Sequence, residues 1–102
     1  MTPRYVDAHC HIQFDQYDAD QAELIKRMGE EGVAGIVVGV DLESSIKAVA
    51  IAERHEDLFV SVGLHPNRAD EAFDTEAFRE LAKNEKVVAI GECGSDYFRP
   101  EE

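Results

Sequence analysis

The sequence has few basic residues and no cluster of them. Ten Lys and Arg stand against 22 Asp and Glu, which gives a formal net charge of −12. Proteins that hold nucleic acid by releasing counterions carry grouped Lys and Arg. The charge therefore argues against a nucleic-acid binding module. An enzyme that binds phosphate through divalent ions does not need such a cluster, because the ions make the local electrostatic potential positive.

Long apolar runs and cysteines are also scarce. No run approaches the roughly 20 apolar residues that a membrane helix needs, and Met1–Val6 lack the basic and apolar regions of a secretion signal. The two cysteines, Cys10 and Cys93, do not form the pattern of a disulfide framework. These absences predict a soluble, cytoplasmic protein without a membrane partner. At 102 residues, we expect one domain over residues 1–102.

Four short apolar runs alternate with three helical patterns along the chain. The runs are rich in Val, Ile and aromatic residues and are too short for helices. We expect strands at Tyr5–Ala8, Gly35–Val40, Phe59–Leu64 and Val87–Ile90. We expect helices at about Ala19–Glu31, Leu42–His55 and Thr75–Glu85. Their expected N-caps are Asp18, Asp41 and Asp74. The second helical pattern places Ile46, Val49, Ala50 and Ala52 inward.

The order β-α-β-α-β-α-β predicts an α/β fold with parallel strands and crossover helices. Such repeated units form either an open sheet or part of a (β/α)8 barrel. Topology alone does not choose between these two architectures.

Two histidines follow the first apolar run. His9 and His11 are two residues apart, and side chains at that spacing on a strand point to the same face. Both imidazoles would then project from the carboxyl end of the strand, where they can share one divalent ion. Two solvent-exposed histidines near a strand end are an equally good reading of this pattern by itself.

Two more polar side chains follow later strands. Glu92 closes the fourth apolar run, where a carboxylate is costly to bury without a partner such as a metal ion. A capping or ion-pairing role in a loop is the common alternative. His65 follows the third run. Barrel enzymes build their sites at the carboxyl ends of strands, so the convergence of these groups on one rim favours a metal site.

Three segments resemble the first signatures of the TatD-type metal-dependent hydrolases, in the right order and spacing: Asp7–His11, Val62–Asn67 and Ile90–Tyr97. The similarity runs over the whole chain and implies the N-terminal half of a (β/α)8 TIM barrel, with its first four strands and three helices. It implies metal ligands at His9, His11 and Glu92, and catalytic contacts at His65 and Asp96. Arg99 also matches a family position, whereas Ser95 stands where the family usually has an apolar residue.

The resemblance further implies hydrolysis of phosphodiester bonds, with DNA or another phosphodiester as substrate and two divalent ions (Zn, Mn or Mg) per complete site. A barrel needs about 250 residues, and the family takes two further His and an Asp from later strands. We therefore expect a truncated chain with little or no turnover alone. One alternative is a non-catalytic half-barrel that binds metal, self-associates or pairs with a complementary half. Another is a related hydrolase of ester or amide bonds.

Overall fold

A computed structural model describes residues 3–68 and 72–94 of the chain. Four strands and three α-helices alternate within these ranges, with a short 3-10 turn after β1 and another after β3. The strands are β1 Tyr5–Cys10, β2 Val33–Val38, β3 Leu58–Val62 and β4 Val87–Ile90. The helices are α1 Gln21–Glu30, α2 Leu42–Ala52 and α3 Thr75–Ala82. The predicted order of elements is confirmed.

The strands form one parallel sheet in the order β1-β2-β3-β4. Parallel neighbours require crossover connections, and each α-helix supplies one. Because every strand runs in the same direction, all four carboxyl ends lie on one rim of the sheet. That rim is where the sequence places His9, His11, His65 and Glu92.

The core lies between the sheet and α2. Val37 of β2 and Val60 and Val62 of β3 are fully buried, and they belong to the same cluster as Ala48 and Ala52 of α2. Burying a valine side chain contributes roughly 1.5–3 kcal/mol. The two central strands are therefore the most firmly held part of the sheet.

Side-chain caps begin two of the helices as predicted. Asp41 accepts a hydrogen bond from the Ser44 backbone N–H at 2.8 Å, and the Ser44 hydroxyl accepts one from the Asp41 backbone N–H at 3.1 Å. Asp74 caps α3 through the Ala77 N–H. The predicted cap of α1 is wrong, because that helix begins after Asp20 rather than Asp18 and has no side-chain cap.

The buried face of α2 differs from the predicted one. Ile46 and Ala50 are exposed, so the expectation that they face inward is wrong for these two residues. Fully buried Ser45 lies against Gly39 instead, where a Cβ would collide with its side chain. The helix approaches the sheet through small residues, and this close approach rotates the larger Ile46 outward.

The two edge strands are exposed. Val6 of β1 is 62% exposed and Ile90 of β4 is 66% exposed. Each edge strand pairs with one neighbour within the described residues. Within residues 3–68 and 72–94, no helix combines the length and the apolar character needed to cross a membrane.

Candidate metal centre

His9, His11 and Glu92 meet at the carboxyl rim of the sheet. Glu92 Oε2 lies 3.3 Å from His9 Nε2 and 4.0 Å from His11 Nε2. Among the described residues, these three offer nitrogen and oxygen ligand atoms that all lie within 4.8 Å of one another. The structure thus brings together the three residues that the sequence suggested as metal ligands.

The His11 ring is oriented by the strand beside it. Its Nδ1 lies 2.8 Å from the carbonyl oxygen of Val38, at the end of β2. A carbonyl only accepts hydrogen bonds, so Nδ1 carries a proton, and in the neutral ring Nε2 then keeps its lone pair. The ring also stacks on Phe14, with centroids 4.5 Å apart. His11 is therefore held in the tautomer and orientation that a metal ligand needs.

Gln13 donates a hydrogen bond to the same Val38 carbonyl and was not predicted from the sequence. It is 1% exposed, and its amide nitrogen donates to Val38 O at 2.8 Å and to Ser44 O at 3.4 Å. These bonds tie the segment after β1 to β2 and α2. Gln13 continues the two-residue spacing of His9 and His11, and this spacing was the signal that could have identified it.

Glu92 is positioned by a close approach of two chain segments. A Cβ at Gly63 would lie 2.7 Å from the Glu92 carbonyl oxygen and 2.7 Å from the Gly91 carbonyl carbon. Only a glycine at position 63 leaves room for this approach. The Ser61 hydroxyl donates to the Gly91 carbonyl at 2.9 Å and secures the same turn. The end of β3 therefore shapes the segment that carries Glu92.

His65 joins the cluster from the third strand. Its Nε2 lies 3.2 Å from Glu92 Oε1, and its side chain is 22% exposed. Its Nδ1 accepts a hydrogen bond from the Asn67 backbone N–H at 3.0 Å. The other predicted catalytic residue, Asp96, lies outside the described residues, as does Arg99.

Asp7 and Cys10 border the site without entering the cluster. Asp7 Oδ1 accepts a hydrogen bond from the backbone N–H of His9 at 3.1 Å. This hydrogen bond is to the main chain and not to an imidazole. The Cys10 thiol donates to Ile36 O at 3.4 Å. Burial, and then the charge of Asp7, raise the Cys10 pKa to about 11. The thiol stays protonated at neutral pH, which disfavours it as a nucleophile or ligand.

The ligand atoms are close enough together to hold a divalent metal ion. Zn²⁺ bonds imidazole nitrogen and carboxylate oxygen at about 2.0–2.2 Å, so the ligand atoms of a tetrahedral site lie roughly 3.3 Å apart. The observed separations from Glu92 Oε2, 3.3 and 4.0 Å, are within about 1 Å of that value. Imidazole nitrogens are ligands that zinc and other transition metals favour, and carboxylate oxygens also bind manganese and magnesium.

One family of known proteins matches most of the chain. The family described as TatD related DNase matches residues 6–102. The chain belongs to the TatD related DNase family.

Individual TatD relatives match nearly the whole chain. An uncharacterized metal-dependent hydrolase, YjjV of Escherichia coli (strain K12), is 32% identical over 96% of this chain and 40% of its own length. The 3'-5' ssDNA/RNA exonuclease TatD of Cronobacter sakazakii is 41% identical over 91% of this chain and 36% of its own length. The chain therefore spans about two fifths of the length of these TatD relatives.

A solved TatD structure confirms the fold. The crystal structure of the E. coli TatD homolog YjjV superposes with a TM-score of 0.81 at 31% identity. The superposition covers 99% of this chain and 42% of that chain. The described residues therefore have the fold of the N-terminal half of the TatD TIM barrel, as the sequence predicted.

Proposed function

We propose that this chain carries the first metal ligands of a divalent-metal-dependent hydrolase of phosphodiester bonds. The convergence of His9, His11 and Glu92 on one rim supports this proposal most directly. Several relatives are named metal-dependent hydrolases, and others are named ssDNA/RNA exonucleases. These names support single-stranded nucleic acid, or another phosphodiester, as the substrate.

Each residue has a distinct task in this proposal. His9 and His11 would bind the ion through Nε2, and Glu92 through a carboxylate oxygen. A bound divalent ion supplies a Lewis acid and activates water. It also offsets the acidic character of the chain where an anionic substrate arrives. His65 would face the reacting groups in the cleft, and Asp96 is the second proposed catalytic residue.

The complete site in this proposal holds two ions of zinc, manganese or magnesium. Three protein ligands leave room for further donors, and the exposed edges β1 and β4 are where further strands would pair. We propose that these strands belong to a longer chain, to a second copy of this chain or to a complementary half-barrel. Both cysteines are free, which supports a reducing, cytoplasmic location.

A non-catalytic half-barrel is the second candidate. The observation that favours it is the exposure of both edge strands, together with a cluster of only three ligands among the described residues. Such a protein would bind metal and associate through β1 and β4 without turnover. A hydrolase of ester or amide bonds would use the same ligands on a different substrate.

The test compares residues 1–102 with the protein encoded by the complete reading frame. Each protein is loaded with Zn²⁺, Mn²⁺ or Mg²⁺. It is then incubated separately with end-labelled single-stranded DNA, with RNA and with a p-nitrophenyl ester of a carboxylic acid. We expect the full protein to cleave nucleic acid in a metal-dependent way, with the activity lost in His9→Ala. We expect residues 1–102 to show little or no turnover.

Each other result selects an alternative. Cleavage of the ester alone assigns the related hydrolase activity. Metal binding without any turnover by either protein assigns the non-catalytic half-barrel. His55→Ala is the matched control, because this histidine lies between α2 and β3, at the opposite end of the strands from the metal cluster.

A further inference from the structure

We infer that His65 is a positioning residue for Glu92. Its Nε2 proton would be donated to Glu92 Oε1, which leaves Oε2 directed at His9 and His11. This inference rests on the proposed function only in taking Glu92 as a metal ligand. It assigns both ring nitrogens of His65 to hydrogen bonds, in place of the direct contact with reacting groups proposed above, and excludes His65 from the set of metal ligands.

The position of the His65 proton follows from its neighbour. Nδ1 accepts a hydrogen bond from the backbone N–H of Asn67 at 3.0 Å. A ring nitrogen that accepts carries no proton, so in this ring the proton is on Nε2. Nε2 then has no lone pair for a metal ion. This is the reverse of His11, whose contact with the Val38 carbonyl leaves Nε2 free.

The main chain also holds the His65 ring in place. The His65 backbone N–H donates to Val40 O at 2.7 Å, and the 3-10 turn Pro66–Arg68 follows directly. This turn presents the Asn67 N–H to the ring. Backbone groups therefore determine both the location and the tautomer of His65, so its donor is in place before any ion binds.

The two carboxylate oxygens of Glu92 face different partners. Oε1 lies 3.2 Å from His65 Nε2, whereas Oε2 lies 3.3 Å from His9 Nε2. The Glu92 side chain is 30% exposed and has several rotatable bonds. A donor beside Oε1 selects the rotamer that aims Oε2 at the two imidazoles. Hydrogen-bonded partners of ligating carboxylates raise metal affinity by this kind of orientation.

Two substitutions distinguish the role of Nδ1 from the role of Nε2 in His65. His65→Asn places an amide oxygen near the position of Nδ1, so it keeps an acceptor for Asn67 but removes the donor to Glu92. His65→Gln reaches the position of Nε2 and keeps the donor. The affinity for Zn²⁺ and Co²⁺ is measured by competition with a chromophoric chelator on the full 102-residue chain. We expect His65→Asn to weaken binding by about tenfold or more, and His65→Gln to stay close to the unchanged protein.

Equal affinities of His65→Asn and the unchanged protein would overturn the inference. Equal losses in both variants would also overturn it, because they would indicate a ligand or a general structural role. A measurement without metal gives an independent check. Nitrogen-15 NMR of the unchanged chain should show His65 protonated at Nε2 and unprotonated at Nδ1, and the opposite tautomer would contradict the inference.

The results also separate this inference from the proposed function. Neither affinity nor tautomer requires turnover. Selective weakening by His65→Asn in residues 1–102, together with no phosphodiester cleavage by the protein of the complete reading frame, would keep the inference and refute the proposed hydrolase activity. Metal-dependent cleavage together with unchanged metal affinity in His65→Asn would support the proposed hydrolase activity and refute the role of His65 inferred here.

Discussion

His9 Nε2 and Glu92 Oε2 lie 3.3 Å apart, although β1 and β4 are the two edge strands of the sheet. Neighbouring strands are spaced by about 4.8 Å, so a flat four-stranded sheet would separate its edges by roughly 14 Å. The two long side chains therefore reach toward each other across the sheet from its opposite edges. The sheet superposes on part of a TatD barrel, and in a barrel wall the curvature brings such edges closer than in a flat sheet.

The first prediction concerns the imidazole ligands. His9→Ala and His11→Ala each remove one of three ligand atoms, so each should weaken Zn²⁺ binding by at least about tenfold, or 1.4 kcal/mol. Isothermal titration calorimetry measures the affinity. His55→Ala makes the same change outside the cluster and should leave binding unaltered. Equal affinities for His9→Ala and His55→Ala would rule out a site at this rim.

The second prediction concerns the glycine that admits Glu92. Gly63→Ala places a methyl group 2.7 Å from main-chain atoms of Gly91 and Glu92, which must then move. We expect a loss of about 1–3 kcal/mol in the free energy of unfolding, together with weaker Zn²⁺ binding. Urea denaturation and calorimetry measure the two effects.

Gly29→Ala is the control for that substitution. Gly29 lies in α1 with open space around its Cβ position, so alanine there should stabilise the chain by about 0.5–1 kcal/mol. Zn²⁺ affinity should not change. A Gly63→Ala protein as stable as the Gly29→Ala protein would refute the close approach at position 63.

Local patterns in the sequence predicted most elements of the fold. Short apolar runs marked the four strands, and the N-caps of α2 and α3 followed from Asp41 and Asp74. These features depend on neighbouring residues, so the sequence displays them directly. The inward face of α2 was only partly right, because Ile46 turns outward when Ser45 packs against Gly39. That contact joins the end of β2 to α2, and the apolar pattern of the sequence does not indicate it.

The candidate site was predictable to a similar extent. His9, His11, His65 and Glu92 were identified as residues that follow apolar runs, and the structure brings all four together. Their distances could not be predicted, because they depend on the curvature of the whole sheet. The tautomers of His11 and His65 were equally hidden, since each depends on a single backbone group, Val38 O or the Asn67 N–H.

The third prediction concerns the cap of α2 and its pH dependence. Burial opposes the charge on Asp41, but hydrogen bonds from Ser44, together with the charges of Arg68 and Lys47, outweigh it and lower the Asp41 pKa below its ordinary 3.8. A lowered pKa in the folded state adds stability above the unfolded value, and this stability is lost as the pH falls through the folded pKa. Asp41→Ala should cost about 1 kcal/mol at pH 7.

Asp41→Asn separates capping from ionisation. Asparagine still caps a helix but does not titrate. The variant should therefore lose less stability than the unchanged protein when the pH falls from about 5 to 3. Urea denaturation at several pH values measures this difference. An identical acid dependence in the two proteins would show that the charge of Asp41 does not contribute.

The last prediction concerns the two thiols in the metal-free protein. Cys10 is half-buried with a pKa of about 11, so at pH 8 only about one molecule in a thousand carries its thiolate. Cys93 is exposed. A thiol-reactive dye should therefore detect one fast and one slow thiol, and Cys93→Ser should remove the fast phase while Cys10→Ser keeps it. In guanidinium both thiols should react rapidly, because unfolding removes the burial that holds the Cys10 thiol protonated. A fast phase that survives in Cys93→Ser would mean that Cys10 is accessible and ionised, and it would contradict the burial of this thiol.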